Sequence, residues 1–424
     1  MMNIPKHWQV KKLGEVFTIE RGGSPRPIQE FITDEENGIN WIKIGDTKDV
    51  VKYIQTTKQK IRPEGAKRSR MVYVDDFILS NSMSFGRPYI MKTTGCIHDG
   101  WLVIRRNVDI DNNYLYYILS SPLLYQQFTN LAKGSTVKNL NIDAVKQAKI
   151  SFPPLREQQA IVSRIEELLS DLDNGKQQLQ LAQQQLKTYR QSLLKWVFEG
   201  KLTNSDLKNG ELPKGWKLMK LGNVCNKIQD GSHFSPQIQY DEPGKDRFMY
   251  ITAKNIRNDH MDFRKLSYVD KDFHQSIYGR CNPEFGDVLL TKDGVNTGEV
   301  TLNTLHEPIS LLSSVCIFKT KKNELLSEFL KYFIQSPFGS KLISDSMTGT
   351  AIKRIILRKI KDAIVIIPPI EEQLLIVSEL ESKLTVCDKI EETISEALLK
   401  SESLRQSILK KAFSGELIKN YRLH

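Results

Sequence analysis

The sequence predicts an α+β protein: two mixed α/β domains in tandem, each followed by a long α-helix, with the two helices pairing as a coiled-coil spacer. Three observations lead to this prediction. The chain of 424 residues repeats itself once. The first part of each copy alternates short strand-like runs with turns, and the second part carries a sustained heptad pattern. A chain of this length suits roughly two to four domains.

The repeat is clearest in its framing motifs. The opening motif, Trp8 followed by Lys-Leu-Gly, returns 208 positions later at Trp216. The closing motif, Pro-Pro-x-x-Glu-Gln at 153–158, returns 215 positions later at 368–373. A period this long indicates tandem domains, because solenoid repeats run to about 20–50 residues. The shift between the two offsets indicates that the first part of each copy varies in length while the second part is constant.

Short apolar or β-branched runs bounded by turn residues predict the strands and helices of each domain. In the first copy we expect strands at 39–44, 71–74, 77–79, 101–104 and 149–152, and helices at 113–119 and 123–131. In the second copy we expect strands at 249–252, 288–291, 315–318 and 363–367, and a helix at 324–334. A Pro-Pro pair stops the last strand of each copy.

Beyond each Pro-Pro pair the pattern changes to heptads. From Ile161 to Trp196 apolar residues step by four and three, broken only at Gly175, and the partner segment keeps this register less perfectly. The pattern predicts one coiled-coil helix per copy, about 60 Å long for about 40 residues. Tyr189 and Trp196 fall in the seam, whereas exposed helix faces, including Gln158, are candidates for holding partner subunits, with plain solvation as the alternative. The predicted seam residues are Ile161, Ile165, Leu168, Leu172, Leu179, Leu186, Leu193, Ile376, Leu380, Ile390, Ile394, Leu404 and Ile408.

These patterns divide the chain into six segments. They are a first globular domain at 1–153, a spacer helix at 154–198, a polar linker at 199–211, a second globular domain at 212–368, a second spacer helix at 369–413 and a C-terminal tail at 414–424.

Composition narrows the function classes. The formal net charge of +11 favours a polyanionic partner, because each Lys or Arg placed at a phosphate releases condensed counterions. Five scattered cysteines without a CxxC pair argue against a zinc site or disulfide framework and fit a reducing cytoplasm. No apolar run approaches the ~18 residues of a membrane helix. We therefore expect a cytoplasmic protein without a metal site or membrane association.

With Leu-Pro-x-Gly-Trp-type openings, Pro-Pro-x-x-Glu-Gln helix entries and Arg-Gln-Ser-(Leu/Ile)-Leu-Lys exits at 190–195 and 405–410, the chain resembles the specificity subunit of type I restriction-modification systems along essentially its whole length. The resemblance implies that each globule is a target recognition domain reading one half of a split double-stranded DNA sequence. It implies that the helices fix the distance between the halves and dock two adenine-N6 methyltransferase subunits and, through them, restriction subunits. It implies no catalysis and no cofactor on this chain, with S-adenosylmethionine bound by the methyltransferase.

Polar loops near strand ends are the candidate DNA contacts. A basic loop suits phosphates, whereas Arg and Asn read guanine and adenine in the major groove. The segments 133–139 and 348–354 each hold a Gly, a hydroxyl residue and a Lys in register, which suits a phosphate grip. An ordinary solvated loop is the alternative for each. The candidates are Lys58, Lys60, Arg62, Lys67, Arg68, Arg70, Asn81, Ser84, Arg87, Ser135, Thr136, Lys138, Lys254, Asn255, Arg257, Lys292, Asn296, Thr297, Thr350, Lys353 and Arg354.

Two other classes of protein compete with a DNA-reading subunit. A methyltransferase fused to its own reader would use Asn282-Pro283-Glu284-Phe285, which differs from an Asn-Pro-Pro-Tyr/Phe loop at Glu284 and lacks an FxGxG-like cofactor loop elsewhere. A nuclease would need more than Glu381-Ser382-Lys383, which lies on the heptad helix. A scaffold that joins partners through its coiled coil and never touches DNA is the third interpretation. The positive charge and the polar loops repeated in register argue against it.

Overall fold

The computed structural model describes residues 4–81, 85–131, 140–204, 207, 211–349 and 354–418. The chain divides into two compact units. Unit 1 comprises residues 1–179 with 395–424, and unit 2 comprises residues 180–394. Each of the two long helices contributes one segment to each unit. In the described ranges, no helix combines the length and apolar character needed to cross a membrane.

Unit 1 contains a mixed α/β domain. Its strands are β1 (Gln9–Lys12), β2 (Phe17–Arg21), β3 (Ile32–Thr33), β4 (Ile39–Ile42), β5 (Tyr53–Ile54), β6 (Gln59–Ile61), β7 (Arg70–Val72), β8 (Phe77–Ser80), β9 (Pro88–Met91), β10 (Gly95–Ile97), β11 (Trp101–Arg106) and β12 (Lys149–Phe152). Its short helices are α1 (Leu13–Val16), α2 (Pro63–Ala66), α3 (Asn112–Leu119), α4 (Pro122–Leu131) and α5 (Ile142–Gln147), and the long helix α6 (Leu155–Phe198) begins in this unit.

Unit 2 repeats the plan with different loops. Its strands are β13 (Lys217–Lys220), β14 (Cys225–Asp230), β15 (Arg247–Ile251), β16 (Ser267–Asp270), β17 (Val288–Thr291), β18 (Val300–Leu302), β19 (Ser310–Leu311), β20 (Val315–Thr320), β21 (Met347–Thr348), β22 (Arg354–Ile355) and β23 (Ile364–Ile367). Its helices are α7 (Lys271–Cys281), α8 (Ser327–Gln335), α9 (Pro337–Asp345), α10 (Leu357–Asp362) and the first part of α11 (Ile370–Phe413). The α+β architecture with two long helices agrees with the prediction.

One central sheet organises each unit. In unit 1 it has the order β2-β11-β8-β9-β5, and in unit 2 the order β14-β20-β17-β18. Alternate residues of its strands enter different cores. On β8, Phe77 and Leu79 join the cluster with the helices, while Ile78 packs towards the second sheet, β3-β6-β4-β10-β7. On β17, Leu290 likewise joins the cluster with the helices, while Leu289 packs into the cluster on the other face of the sheet. Both faces are covered, so β8 and β17 are buried along their whole length.

The opening and closing motifs of each copy are neighbours in space. β1 pairs antiparallel with β12, with Val10 opposite Ser151. β13 pairs with β23 in the corresponding register, with Leu218 opposite Ile366. The Trp8 indole nitrogen also donates to Glu157 at 2.8 Å. The variable part of each copy therefore begins after one strand and ends before another, and these two strands pair with each other.

The glutamine of the Pro-Pro-x-x-Glu-Gln motif anchors each long helix to its domain. Gln158 is buried, accepts from the Asp111 amide at 2.9 Å and donates to the Pro153 carbonyl at 2.9 Å. Gln373 is likewise buried, accepting from the Leu326 amide and donating to the Pro368 carbonyl, both at 2.9 Å. The interpretation of Gln158 as part of an exposed helix face is therefore corrected, because its amide satisfies backbone groups before α3 and before α6.

Within each unit a stretch of α6 packs with a stretch of α11. In unit 1 Phe413 packs its ring against Tyr114, and its carbonyl accepts from the Ser151 hydroxyl at 3.1 Å. In unit 2 Phe198 contacts the rings of Phe329 and Phe333. Each globule is thus closed by the beginning of one long helix and the end of the other.

Equivalent interhelical ion pairs accompany this packing. Arg405 donates to Asp173 at 2.5 Å in unit 1, and Arg190 donates to Asp388 at 2.5 Å in unit 2. Each residue of the second pair is the repeat equivalent of one in the first, at the offset of 215. Partly exposed pairs of this kind contribute about 0.2–1 kcal/mol and chiefly set the helix register.

Most of the predicted seam is at least partly covered. Ile161, Ile165, Leu193, Ile376, Leu380, Ile394 and Ile408 are buried, and Leu168, Leu172, Leu179 and Leu186 are half-buried. Two predicted seam residues are corrected: Ile390 is 44% exposed and Leu404 is 52% exposed. Tyr189 and Trp196, expected in the same stripe, are also exposed.

The correction has a geometric cause. A straight helix turns every 3.6 residues, so a strict heptad stripe drifts by about 20° per heptad. At this point of each helix the residue that faces the other helix is therefore one position after the predicted seam residue: Arg190 instead of Tyr189, and Arg405 instead of Leu404. Both arginine side chains are half-buried, and their guanidinium groups reach the facing carboxylates of Asp388 and Asp173. Tyr189 and Leu404 are consequently exposed to solvent.

We predict that Gln158→Leu destabilises unit 1. The substitution leaves the Asp111 amide and the Pro153 carbonyl without their partner, and an unsatisfied polar group costs about 1–3 kcal/mol. Urea unfolding should show a loss of about 2 kcal/mol or more, with faster amide hydrogen exchange in α3. The exposed neighbour provides the control, since Gln159→Leu should leave both unchanged. Equal effects of the two substitutions would contradict the anchoring role.

Candidate nucleic-acid interface

The structure brings two predicted loops together at one edge of each central sheet. In unit 1 Asn81 follows β8, and its carbonyl accepts from the Leu140 amide at 2.9 Å. In unit 2 Lys292 follows β17, and its carbonyl accepts from the Ile355 amide at 2.9 Å. These backbone bonds attach the segment before β12 or β23 to the loop after the central strand. The same two loops are therefore paired in both units.

A third loop, which the sequence analysis missed, joins this edge. It follows β2 at Gly22 and β14 at Gly231, whose amides donate to the Trp101 and Val315 carbonyls. A Cβ on Gly22 would lie 2.1 Å from the His98 carbonyl oxygen. A Cβ on Gly231 would lie 2.2 Å from the Leu311 carbonyl oxygen. Only glycine allows this approach, and the repeated Gly with a Pro five residues later was the available sequence signal.

Asp230 links the loop after β14, the loop after β17 and helix α7 in unit 2. Its buried carboxylate accepts from the Lys292 ammonium at 2.7 Å and from the Arg280 guanidinium at 2.6 Å. His233 contacts the same carboxylate at 3.1 Å. Burial alone would raise the pKa of Asp230, but the hydrogen bonds from Lys292 and Arg280 hold it below its usual range. The carboxylate is thus ionised and fixes the loops electrostatically.

Unit 1 builds the corresponding corner from fewer charges. The Asn81 amide group donates to the Asp99 carbonyl at 2.9 Å, and Ser24 donates to the Asp99 carboxylate at 2.7 Å. That hydroxyl is the main cause of the lowered pKa of Asp99. Arg21 donates to the same Asp99 carbonyl at 3.0 Å. The two units therefore hold equivalent loops by different side-chain chemistry.

Three candidate DNA contacts are buried, and their contact with DNA stays a prediction. Asn81, Asn255 and Lys292 are 4%, 1% and 5% exposed. Asn255 accepts from the Thr252 amide and donates to the Asp262 carbonyl, so it caps its own turn. The Asn81 amide nitrogen, the Asn255 side chain and the Lys292 ammonium bond to groups inside the protein, so these three residues position loops.

The basic run of unit 1 spans β6, α2 and β7. Lys58, Arg62, Lys67, Arg68 and Arg70 are exposed, and Lys60 is half-buried. The Arg68 guanidinium lies over the Phe31 ring, and Arg70 pairs with Glu20 at 3.2 Å. A Cβ on Gly23 would lie 3.1 Å from the Arg68 carbonyl oxygen, so the end of this run adjoins the loop after β2.

The remaining candidates vary in exposure. Arg87, Lys254 and Arg354 are exposed, while Asn296 and Thr297 are half-buried in the loop after β17. Arg257 is half-buried and lies 3.7 Å from both Asp262 and Glu299. Six candidates fall outside the described residues: Ser84, Ser135, Thr136, Lys138, Thr350 and Lys353. Contact with DNA stays a prediction for all of the accessible candidates.

A family model for the type I restriction modification DNA specificity domain matches residues 5–183 and again 213–400. The chain belongs to the type I restriction-modification specificity family. Among its relatives, the EcoKI specificity subunit of Escherichia coli is 25% identical over 442 residues, covering 99% of this chain and 91% of that protein. The MjaIX specificity subunit of Methanocaldococcus jannaschii is 23% identical over 380 residues, covering 86% and 84%.

Solved structures share the fold of this specificity subunit. A chain from a study of complex assembly and conformational transition of the type I restriction-modification system superposes with a TM-score of 0.72 at 20% identity. It covers 97% of this chain and 99% of its own length. The HsdS subunit of Thermoanaerobacter tengcongensis gives a TM-score of 0.61 at 20% identity, covering 97% and 98%. Family membership confirms the prediction of a non-catalytic specificity subunit with two recognition domains.

The motifs of the enzyme interpretation have structural explanations in this specificity subunit. Asn282 ends α7 in the left-handed conformation, and its side chain donates to Glu284 at 3.0 Å. Phe285 stacks on His306. Lys383 lies on α11 and pairs with Glu379, one turn away. Within the described ranges, no group of three His, Cys, Asp or Glu side chains could hold a metal ion.

We predict that Asp230→Asn lowers the stability of unit 2 by about 3 kcal/mol, because removing one partner of a buried ion pair leaves the other charge uncompensated. The folded-state pKa of Asp230 is below its unfolded value, so its contribution is present above roughly pH 4 and is lost as the pH falls through the folded pKa. Amide hydrogen exchange of β14 and β17 across this pH range should report both effects.

The exposed pair between Lys220 and Asp362 provides the control for this prediction. Asp362→Asn should leave hydrogen exchange in β14 and β17 unchanged. A wild-type acid dependence that persists in the Asp230 variant would rule out Asp230 as its source.

Proposed function

We propose that this specificity subunit reads a bipartite, asymmetric DNA target, with one half read by each unit and an unread gap between the halves. The observation that carries the proposal is that each unit has its own loop edge, built in the same way. Equivalent backbone bonds hold the loops at Asn81 and Lys292, whereas the side chains on those loops differ. Two readers with one scaffold and different contact residues fit two different half-sites.

Positive charge supports DNA as the ligand. Exposed cations adjoin the loop edge in both units, including Arg68 in unit 1 and Arg354 in unit 2. Cations at such positions suit phosphates, which fix the register of a reader on the duplex. The two helices, equal at 44 residues, suit a spacer of constant length. A scaffold that never touches DNA would need neither feature.

We propose further that two methyltransferase subunits dock on the long helices, and that restriction subunits assemble through them. Tyr189 and Leu404 support this proposal. They are 49% and 52% exposed and are repeat equivalents at the offset of 215. Among the described residues of α6 and α11, no other two exposed large apolar residues are related in this way. Two copies of one partner would meet an apolar side chain at the same position of each helix.

The proposed chemistry belongs to the partners. S-adenosylmethionine would bind to the methyltransferase, which flips an adenine of each half-site into its own pocket. The specificity subunit would position that enzyme and act in the cytoplasm. Binding of S-adenosylmethionine by the isolated chain, measured by calorimetry, would instead support the fused-methyltransferase interpretation.

We predict that exchanging residues 212–368 for the recognition domain of another specificity subunit changes only one half of the methylated motif. The reason is that unit 2 carries its own loop edge and core. The measurement is methylation of a plasmid library by the methyltransferase with the native or exchanged chain, read by modification-sensitive sequencing. A contiguous motif, or a change in both halves, would contradict the bipartite model. The matched control exchanges residues 1–153 and should change the other half.

We predict that Tyr189→Ser and Leu404→Ser each remove one methyltransferase from the complex, and that the double variant removes both. Each substitution deletes an exposed apolar contact without touching the helix seam. Native mass spectrometry of co-expressed subunits would measure the stoichiometry.

Leu399→Ser is the control for this prediction. Leu399 is 75% exposed on the same helix, but its repeat equivalent is the polar Gln184. The complex that contains the Leu399→Ser variant should retain two methyltransferases. Loss of partner from this control, or two bound copies in the double variant, would refute docking at the repeated position.

A further inference from the structure

The two most exposed large apolar side chains among the described residues of unit 2 lie on adjoining loops. Val295 is fully exposed, and Phe234 is 77% exposed. Val295 lies on the loop after β17, and Phe234 on the loop after β14. Asp230 ties these loops together through Lys292 and His233. A single exposed apolar residue on a surface is ordinary, but two on neighbouring loops held by one buried carboxylate indicate a contact surface.

The loop that carries Val295 is organised by hydrogen bonds between its own residues. Thr291 and Gly298 close its base, with their amides donating to Glu299 and Thr291 carbonyls at 2.8 and 2.9 Å. The Thr297 hydroxyl donates to the Gly294 carbonyl at 2.6 Å. Gly294 and Gly298 both have positive φ angles, of 101° and 100°, which glycine adopts without strain. The tip is thus presented in a defined geometry, which lowers the ordering cost of binding.

Phe234 is held by its own turn. Its backbone amide donates to the Ser232 hydroxyl at 3.0 Å. The Ser232 amide donates in turn to the Leu311 carbonyl at 2.8 Å. The aromatic side chain therefore projects from a fixed backbone next to the cations of the loop edge.

The surroundings of the apolar pair are cationic. Arg280 and Arg354 have side chains that are 41% and 65% exposed, and His233 is 57% exposed. Asp230 is buried beneath them, and Asp293 lies 3.6 Å from the Arg354 guanidinium. Exposed apolar side chains on loops that also carry cations match a DNA groove, where phosphates flank the base edges. In the major groove the apolar feature of a base edge is the thymine 5-methyl group.

We infer that Val295 and Phe234 are specificity-determining residues that recognise thymine by contact with its 5-methyl group in the half-site read by unit 2. The inference rests on the proposed DNA-reading function and adds the base and the chemical group. It also assigns the neighbouring Asp230 a positioning role, since its bonds to Lys292, Arg280 and His233 hold both loops in place. Burial of one methyl group corresponds to about fourfold in affinity.

The test uses the full chain and selects binding sequences from random duplexes. One pool contains thymidine, and a second, otherwise identical pool contains deoxyuridine in its place. Deoxyuridine removes the 5-methyl group and keeps the pairing edge. Sequences selected from the thymidine pool are then measured with each thymine replaced singly by uracil. For the native chain, at least one replacement in the unit 2 half should weaken binding about fourfold. Val295→Ser or Phe234→Ser should reduce that ratio to about one.

Val386→Ser is the matched control, because Val386 is 56% exposed in the same unit but lies on α11. It should keep the native thymine-to-uracil ratio. A half-site without thymine, or a ratio unchanged in both loop variants, overturns the inference while leaving DNA reading intact. If the full chain selects no sequence from the thymidine pool, the proposed reading function itself fails.

Discussion

The burial of two glutamine amides at the helix starts is the constraint on which the rest of the fold depends. Gln158 and Gln373 each join a Pro-Pro turn to the residue that precedes a helix of the recognition domain, Asp111 before α3 and Leu326 before α8. A primary amide can accept and donate at once, which neither a carboxylate nor an alkyl group can do. The long helix therefore leaves each domain in one orientation, and the seven-residue difference between the copies is absorbed elsewhere.

That difference is harmless because of where each variable segment begins and ends. β1 and β12, like β13 and β23, pair directly, so the chain returns to its starting point after each excursion. Insertions within the excursion alter loops without moving the helix entry. An insertion in α6 or α11 would have a different effect, rotating all later residues by about 100° each. The pattern of offsets in the sequence thus has a direct mechanical explanation.

Sequence reasoning found the elements whose signal is local. The strand predicted at 288–291 is β17, and the one predicted at 149–152 is β12, because continuous apolar runs and a following turn are sufficient evidence. It failed where the deciding partner is distant. Lys292 follows a strand like any loop cation, and only the fold brings Asp230 to it across 62 positions. The seam error at Leu404 arose because an assumed heptad stripe ignores helix drift.

The candidate site shows why two such readers can diverge independently. The bonds that position the loops at Asn81 and Lys292 are made by backbone groups, so they hold for almost any side chain. The glycines at 22 and 231 add a steric requirement that is again independent of the neighbouring side chains. Side-chain support has consequently been free to change from the amide, hydroxyl and arginine arrangement around Asp99 to a buried ion-pair cluster in unit 2. A scaffold fixed by main-chain bonds leaves its contact residues available for selection on sequence preference alone.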